Sequence, residues 1–337
     1  MIDLRSDTIT KPTPPMLEAM WGATVGDDVY DEDMTVNQLQ QKAADMFGME
    51  AALFCPSGTM TNQIAMRVLT QPQDEIICYN GAHIYKYEGG GLAYNSQVST
   101  RLIHSQNGIL HPADVSNNVN DDNIHYPTTS VVALENSVNR AGGTCYTLDQ
   151  IKAVTTAARQ HQLKTHLDGA RVFNALVSTG DKAQDYGQYF DTISICLSKG
   201  LGCPVGSLVL SSHELIKKAK RSRKVLGGAM RQVGYMAAAG IYALDNHVAR
   251  LSNDHQRAQT IAQHLTTKSY VLNLIPVQTN IVLFDLPNHD TVERLLAHLK
   301  NHGILAGMMD KLTMRFVTHL DFDDDQLEQF LKVLDLF

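Results

Sequence analysis

The sequence predicts an α/β protein: a mostly parallel sheet with helices on both faces, followed by a smaller α+β unit. Three observations carry this expectation. Short apolar runs alternate with helical patterns from about Thr35 to Leu210. The runs are almost continuously apolar, as strands buried on both faces are. Near Leu244 the texture changes, and polar-rich helical patterns take over.

Along the chain, "VNQLQQKAADMFG" repeats apolar residues at three and four, the period of a half-buried helix. "AALF" (Ala51–Phe54) follows as a strand, then a helix over "MTNQIAMRVLT" and a strand at "EIICY" (Glu75–Tyr79). "SVVALE" (Ser130–Glu135), "KTHLD" (Lys164–Asp168) and "TISICL" (Thr192–Leu197) are further strands, rich in β-branched residues. Between the first two of these, "LDQIKAVTTAARQHQ" is a helix with Thr147 as its expected N-cap. From Leu244, "LDNHVARLSNDHQRAQTIAQHL" reads as one long helix joining the two parts. A strand "TNIVLFDL", a helix "TVERLLAHLKNHG", a strand "TMRFVTH" and a helix "DDQLEQFLKVLDL" complete the chain. The expected division is a large domain over 1–243 and a small domain over 244–337.

Composition excludes several function classes. The chain has 337 residues, 44% hydrophobic and 19% charged, an ordinary globular balance for one large and one smaller domain. Its net charge of −7 argues against general affinity for nucleic acid or anionic membranes. No apolar run is long enough to span a bilayer, and "MIDLRSDTITKP" has no apolar core of a secretion signal. The five cysteines are odd in number, scattered and without a CxxC pair. That speaks against disulfides and structural zinc and for a cytoplasmic protein; no metal site is expected. The basic run "KKAKRSRK" (Lys217–Lys224) reads as a solvated helix face, with anion binding by one or two members the alternative.

In a parallel sheet, ligands sit beyond the carboxyl ends of the strands. Those ends carry Ser57-Gly58-Thr59, His83, Asn136, Asp168 with Arg171, and Lys199. Ser57-Gly58-Thr59 opening a helix is either a plain cap or a phosphate cradle, in which free amides face an anion. Asp168 is either a turn cap or an acid that keeps a pyridine nitrogen protonated, making the ring an electron sink. Arg171 offers a planar fork for a carboxylate, or a structural ion pair. Lys199 ends the apolar run Ile193–Leu197 among small residues, which leave room for a flat ring. Burial beside a cationic ring would lower its pKa and free the neutral amine for imine formation with an aldehyde. Acid, arginine and lysine in this order point to pyridoxal 5′-phosphate.

"IDLRSDTITKPT", "VGDDVYDED", "ALFCPSGTMTNQ", "AHIYKYEGGG", "THLDGARVFNA", "SICLSKGLGCPVGSLV" and "GGAMRQ" together resemble the threonine aldolase family, of the low-specificity or L-allo type. The likeness runs from Ile2 to "RFVTHL" (Arg315–Leu320). It implies the fold-type-I architecture of pyridoxal phosphate enzymes, with a seven-stranded sheet in the large domain and residues 1–15 lining the site. It implies reversible retro-aldol cleavage of threonine or allo-threonine to glycine and acetaldehyde. In that reading Lys199 holds the cofactor, Asp168 pairs with its ring nitrogen and His83 stacks on the ring. Gly58 and Thr59 bind the phosphate, helped by Arg231 and by Lys224 of a neighbouring subunit. Ser6, Arg171 and Arg315 hold the substrate carboxylate. His83 or His125 takes the β-hydroxyl proton, since imidazole titrates near working pH. A homodimer or tetramer with the site at the subunit interface is also implied, with "GDDVYDED" a loop near the other subunit's pocket. One departure is visible: the family commonly reads "LENTHN" where this chain has "LENSVN", with Val138 in the histidine's place.

The same Asp168/Lys199 pair would serve a β-eliminating lyase or a serine–glycine hydroxymethyl transferase. A silent binding protein of the same fold is a further alternative, at odds with so complete a set of reactive residues. A nucleotide-binding Rossmann protein fails, because "EGGGLA" lacks both the GxGxxG spacing and a preceding strand.

Overall fold

The computed structural model describes all 337 residues. Strands, numbered along the chain, are β1 (Ile2–Asp3), β2 (Ala51–Cys55), β3 (Asp74–Tyr79), β4 (Ser99–Ile103), β5 (Thr128–Glu135), β6 (Lys164–Gly169) and β7 (Thr192–Cys196). They continue as β8 (Ser207–Ser211), β9 (Asn273–Leu274), β10 (Ile281–Asp285), β11 (Ile304–Leu305), β12 (Gly307–Met308) and β13 (Thr313–Val317). Seven of them form one sheet in the order β2-β8-β7-β6-β5-β3-β4. Only β8 runs against the rest. The reason is local. The chain leaves β7, turns through residues 197–206 and returns beside it with no crossover helix, which forces an antiparallel pair. Every other strand therefore ends on the same edge, so the residues after β2, β3, β5, β6 and β7 face one another.

The expected strands are present, and β4 ("STRLI") joins them at the edge, half-exposed and too polar to stand out in the sequence. Helices Met34–Phe47, Gly58–Leu69 and Leu148–Gln160 form where the apolar period placed them. Thr147 caps the last, in a capping box with Gln150. The single long helix expected from Leu244 is instead two, Gly234–Asn246 and Leu251–Leu265. The turn between them is held by tertiary contacts. His247 Nδ1 lies 2.7 Å from the Leu201 carbonyl, and Arg250 Nη1 donates to the Gly200 carbonyl at 3.4 Å. The break thus clasps the loop that follows Lys199.

A four-stranded antiparallel sheet, β12-β13-β10-β9, lies in the C-terminal part. β1 pairs in parallel with β11, and Ile2 and Leu4 bury in the same apolar cluster as Phe284, Phe316 and Phe330. The first residues therefore bind the C-terminal unit before the chain crosses to the large sheet. No helix is long and apolar enough to cross a membrane.

Candidate active site

At the strand-end edge lies a cavity of about 270 Å³, lined by Gly58, Thr59, Asn62, His83, Cys196 and Lys199 among others. Lys199 is half-buried, and its amine makes no hydrogen bond or ion pair within the chain. Its backbone is fixed: the Lys199 carbonyl accepts from Thr10 Oγ1 and from the Gly202 N–H, both at 2.8 Å. Gly202 closes that turn at φ +81°, where a Cβ would also lie 2.7 Å from Leu320 Cδ2.

Helix Gly58–Leu69 points its N-terminus at this cavity. Ser57 Oγ caps the Met60 N–H at 3.3 Å, which leaves the Gly58 and Thr59 amides of the first turn for an incoming anion. A Cβ on Gly58 would lie 2.5 Å from Cys196 Sγ. Glycine here lets the helix start pack directly against Cys196 at the end of β7. Ser57 is thus a cap, and its neighbours' amides face the cavity.

Asp168 is buried at the end of β6. Its Oδ1 accepts from the Ala170 N–H at 3.1 Å and its Oδ2 from Asn62 Nδ2 at 2.9 Å. His83 opens the short helix after β3. Its backbone N–H donates to Glu135 Oε2 and its Nδ1 bonds Glu88 Oε1, both at 2.9 Å. Burial pulls the imidazole's pKa down, but the Glu88 hydrogen bond and the Asp168 and Glu88 charges outweigh it, so His83 sits above its ordinary value. Glu135 is pushed up to about 7, by burial first and by Asp168 second, against the backbone N–H groups of Asn139 and His83. Donor atoms of His83, Glu88 and Asp168 lie within 4.8 Å of one another, the spacing of a metal site. Amide hydrogens of Asn62 and Gln63 already occupy those carboxylates, however, and the cluster is a hydrogen-bond network.

Arg171 is buried, its Nε and Nη2 donating to the two oxygens of Asp7 at 2.8 and 2.6 Å. Its third nitrogen faces Asn139 Oδ1 at 3.4 Å, and Arg315 Nη1 donates to the same oxygen at 3.2 Å. Arg315 Nη2 donates to the Arg5 carbonyl at 2.8 Å, and its buried Nε has no partner. Ser6, one residue on, caps a short turn by accepting from Thr8 N at 3.2 Å. The two guanidinium groups thus share Asn139 Oδ1, and the N-terminal segment meets them through the Arg5 carbonyl and the Asp7 carboxylate.

Of the expected site residues, Gly58, Thr59, His83 and Lys199 line this cavity and Asp168 reaches it through Asn62; Ser6, Arg171 and Arg315 do not line it, and three others are exposed. His125 is exposed in a loop, its backbone N–H bonded to Asn123. Lys224 is exposed near the end of helix His213–Val225. Arg231 is exposed and pairs with Asp27 at 2.8 Å. The acidic "GDDVYDED" segment is likewise tied to its own chain. Asp27 holds Arg231, Asp28 holds the buried Arg223 at 2.8 Å, Asp31 holds Lys220 at 2.5 Å, and Asp33 caps helix Met34–Phe47. The basic run is therefore more than a solvated face: Arg223 anchors it, also donating to the Phe54 carbonyl at 2.8 Å.

The sequence model of the Beta-eliminating lyase family matches residues 3–288. The chain is 41% identical to the low specificity L-threonine aldolase of Escherichia coli K12 over 330 residues, covering 98% of this chain and 97% of that one. It is 40% identical to the low-specificity L-threonine aldolase of Candida albicans, covering 98% and 88%. The chain belongs to the threonine aldolase family. A Leishmania major threonine aldolase superposes with a TM-score of 0.87 at 19% identity, covering 100% and 99% of the two chains. A Sphingomonas wittichii serine palmitoyltransferase superposes at 0.78 and 16%, covering 99% and 86%, so the architecture is that of the fold-type-I enzymes.

Against that family background, the residues that sequence reasoning missed are Asp7, Asn62, Glu88, Glu135 and Asn139. Asp7 and Asn139 stand inside quoted motifs, "RSDTITKP" and "LENSVN", and the motif match was the available signal for them. Asn62 and Glu88 likewise lie in "TMTNQ" and "YKYEGGG".

Proposed function

We propose that the protein is a carbon–carbon lyase that uses pyridoxal 5′-phosphate to cleave L-threonine and L-allo-threonine reversibly to glycine and acetaldehyde. The observation that carries this is the convergence, on one cavity, of a free lysine amine, an anion-ready helix N-terminus and a histidine, with a buried aspartate bonded to the cavity's Asn62. The near-full-length likeness to low-specificity L-threonine aldolases supports the choice of reaction. When bound, the cofactor supplies a protonated heteroaromatic ring that accepts the electron pair of the breaking Cα–Cβ bond.

The chain's own residues do the rest. Lys199 would hold the cofactor at its aldehyde through an amine that no protein group engages. Asp168 holds the proton on the ring nitrogen; its two hydrogen bonds orient the carboxylate as an acceptor. Gly58 and Thr59 hold the phosphate with their amides, and Arg231 and Lys224 serve it from a second copy of the chain. Arg315, Arg171 and Ser6 hold the substrate carboxylate, and Asp7 keeps the Arg171 fork from swinging. That grip would orient the substrate's Cα–Cβ bond for cleavage. His83 removes the β-hydroxyl proton through Nε2, with His125 the alternative base if its loop closes over the site in the assembled protein.

Leu17, Trp21, Tyr30, Met34 and Tyr235 are exposed apolar residues near the acidic segment, and they fit an interface with a second copy in a dimer or tetramer. The test of the reaction is a product analysis with L-threonine and L-allo-threonine supplied separately. Acetaldehyde and glycine are expected. Ammonia with a keto acid would instead assign β-elimination, and dependence on folate would assign hydroxymethyl transfer.

A further inference from the structure

Between Asp168 and His83 runs a chain of hydrogen bonds whose directions admit one solution. Asn62 Nδ2 donates to Glu88 Oε1 at 2.8 Å and to Asp168 Oδ2 at 2.9 Å. Both partners are carboxylates, so both amide hydrogens are spent on them and the amide oxygen must face the other way. It faces His166 Nε2 at 3.2 Å, which is therefore the protonated nitrogen, and His166 Nδ1 then accepts from Thr192 Oγ1 at 2.8 Å. Burial pulls the His166 pKa down to about 4, in keeping with this neutral ring. Gln63 Nε2 donates to Glu88 Oε2 at 2.6 Å, while its own oxygen accepts from Asn95 Nδ2 at 3.1 Å. Glu88 thus receives Asn62, Gln63 and the His83 ring, and an acceptor-only group in that place leaves His83 Nδ1 as the donor. His83 Nε2 has no partner in the protein.

Resting on the reading of His83 as the group that handles the β-hydroxyl proton, we infer that Glu88 is a positioning residue that fixes His83 in its Nδ1–H form and reserves Nε2 for the substrate, with Asn62 as the spacer tying that carboxylate to Asp168. Asn62 does something no acid or apolar residue could do there. It gives each of two neighbouring buried carboxylates a hydrogen, which offsets their repulsion without adding charge. The charged groups facing His83 are Glu88 from its own segment, Asp168 from β6, Glu135 from β5 and Lys199 from the loop after β7. Of these side chains only Glu88 bonds the ring; Glu135 holds the backbone N–H.

A glutamine at 88 offers one oxygen and two hydrogens to three donors. With its oxygen in the Oε1 place it still accepts from Asn62 and the His83 ring, and only Gln63, on the Oε2 side, must turn its amide. Glu88→Gln is therefore expected to keep the tautomer and move the acid limb of kcat/KM down by on the order of one pH unit, since a negative charge is lost, whereas Glu88→Leu, which offers no acceptor, should release the tautomer and lower kcat by at least about tenfold. The KM for threonine and the visible absorbance of the loaded cofactor should change little, because Arg315 and Lys199 are untouched.

The direct readout is the ring-nitrogen NMR of 15N-histidine-labelled protein without cofactor, with the His83 signals assigned by their loss in His83→Ala. Wild-type protein should show His83 protonated at Nδ1 when neutral. Finding Nε2–H in the wild type, or an unchanged acid limb in Glu88→Gln, overturns the inference. This measurement needs no foldable variant at 88. It also separates two failures: wild-type protein that cleaves no β-hydroxy amino acid sinks the proposed reaction, while the wrong tautomer in an active enzyme sinks only the role of Glu88.

Discussion

Asp7→Asn probes the joint that carries the N-terminal segment into the site. The Asp7 carboxylate is fully buried, accepts two hydrogen bonds from Arg171 and a weaker one from Asn280 Nδ2 at 3.3 Å. Burial alone would raise its pKa, but the Arg171 charge and hydrogen bonds, with Lys199 and Asn280, hold it down at about 2 against 3.8 for a free carboxyl. That depression corresponds to roughly 2–3 kcal/mol of stability. Breaking a buried pair and stranding the other charge costs about 3–5 kcal/mol. The expected loss is about 3 kcal/mol, which lowers Tm by on the order of 5 °C in a chain of this size. The assay is thermal unfolding of cofactor-free protein at fixed concentration, since ligand and assembly both shift the midpoint. A group whose folded pKa is depressed contributes fully above its unfolded pKa and loses that contribution as pH falls through the folded value. The gap between wild type and variant should therefore be constant from pH 5 to 8 and close only below about 4. A gap under 1 kcal/mol, or one already closing at pH 6, would refute the reasoning. Asp7→Leu with Arg171→Met should recover part of the loss, because replacing both buried charges removes the stranded one.

Four further outcomes follow from the same geometry. Arg315→Ala removes a charged hydrogen-bond donor worth about 1.5–3 kcal/mol, so KM for threonine should rise by roughly 10–150-fold while cofactor affinity holds; unchanged kinetics would exclude Arg315 from the carboxylate grip. Gly58→Ala puts a Cβ 2.5 Å from Cys196 Sγ and should weaken cofactor binding, measured by absorbance titration, with Gly58→Ala/Cys196→Ala recovering part of it. His83→Ala should lower kcat by about 10²–10⁴-fold, and His125→Ala by less; an equal loss would assign the proton transfer to both loops. Sedimentation analysis should find a dimer or tetramer, and Trp21→Lys should shift it toward monomer; an unshifted assembly would place the interface elsewhere.

What the sequence made legible was local. Lys199 stands out because a charge directly follows five apolar residues, and Gly58–Thr59 because a cap and a glycine open a periodic helix. The strand-end rule then brought Asp168, His83 and Lys199 to one edge without a structure. Pairings across the chain were not legible. Asp7 meets Arg171 164 positions away and Asn62 meets Asp168 106 positions away, and neither residue type carries a periodic signal. The helix break near His247 was hidden for the same reason: nothing in "LDNHVARLSND" stops a helix, and the carbonyls of Gly200 and Leu201 that hold the turn come from another element. The basic run misled in part, because Arg223 is indistinguishable by composition from its exposed neighbours, yet its partner Asp28 lies in the acidic loop.

The proposed function hangs on the Lys199 amine. Protein loaded with pyridoxal phosphate, reduced with borohydride and digested, should yield one peptide carrying the pyridoxyl mass, containing Lys199, and Lys199→Ala should yield none. The label on another lysine, or threonine cleavage surviving in Lys199→Ala, would contradict the account.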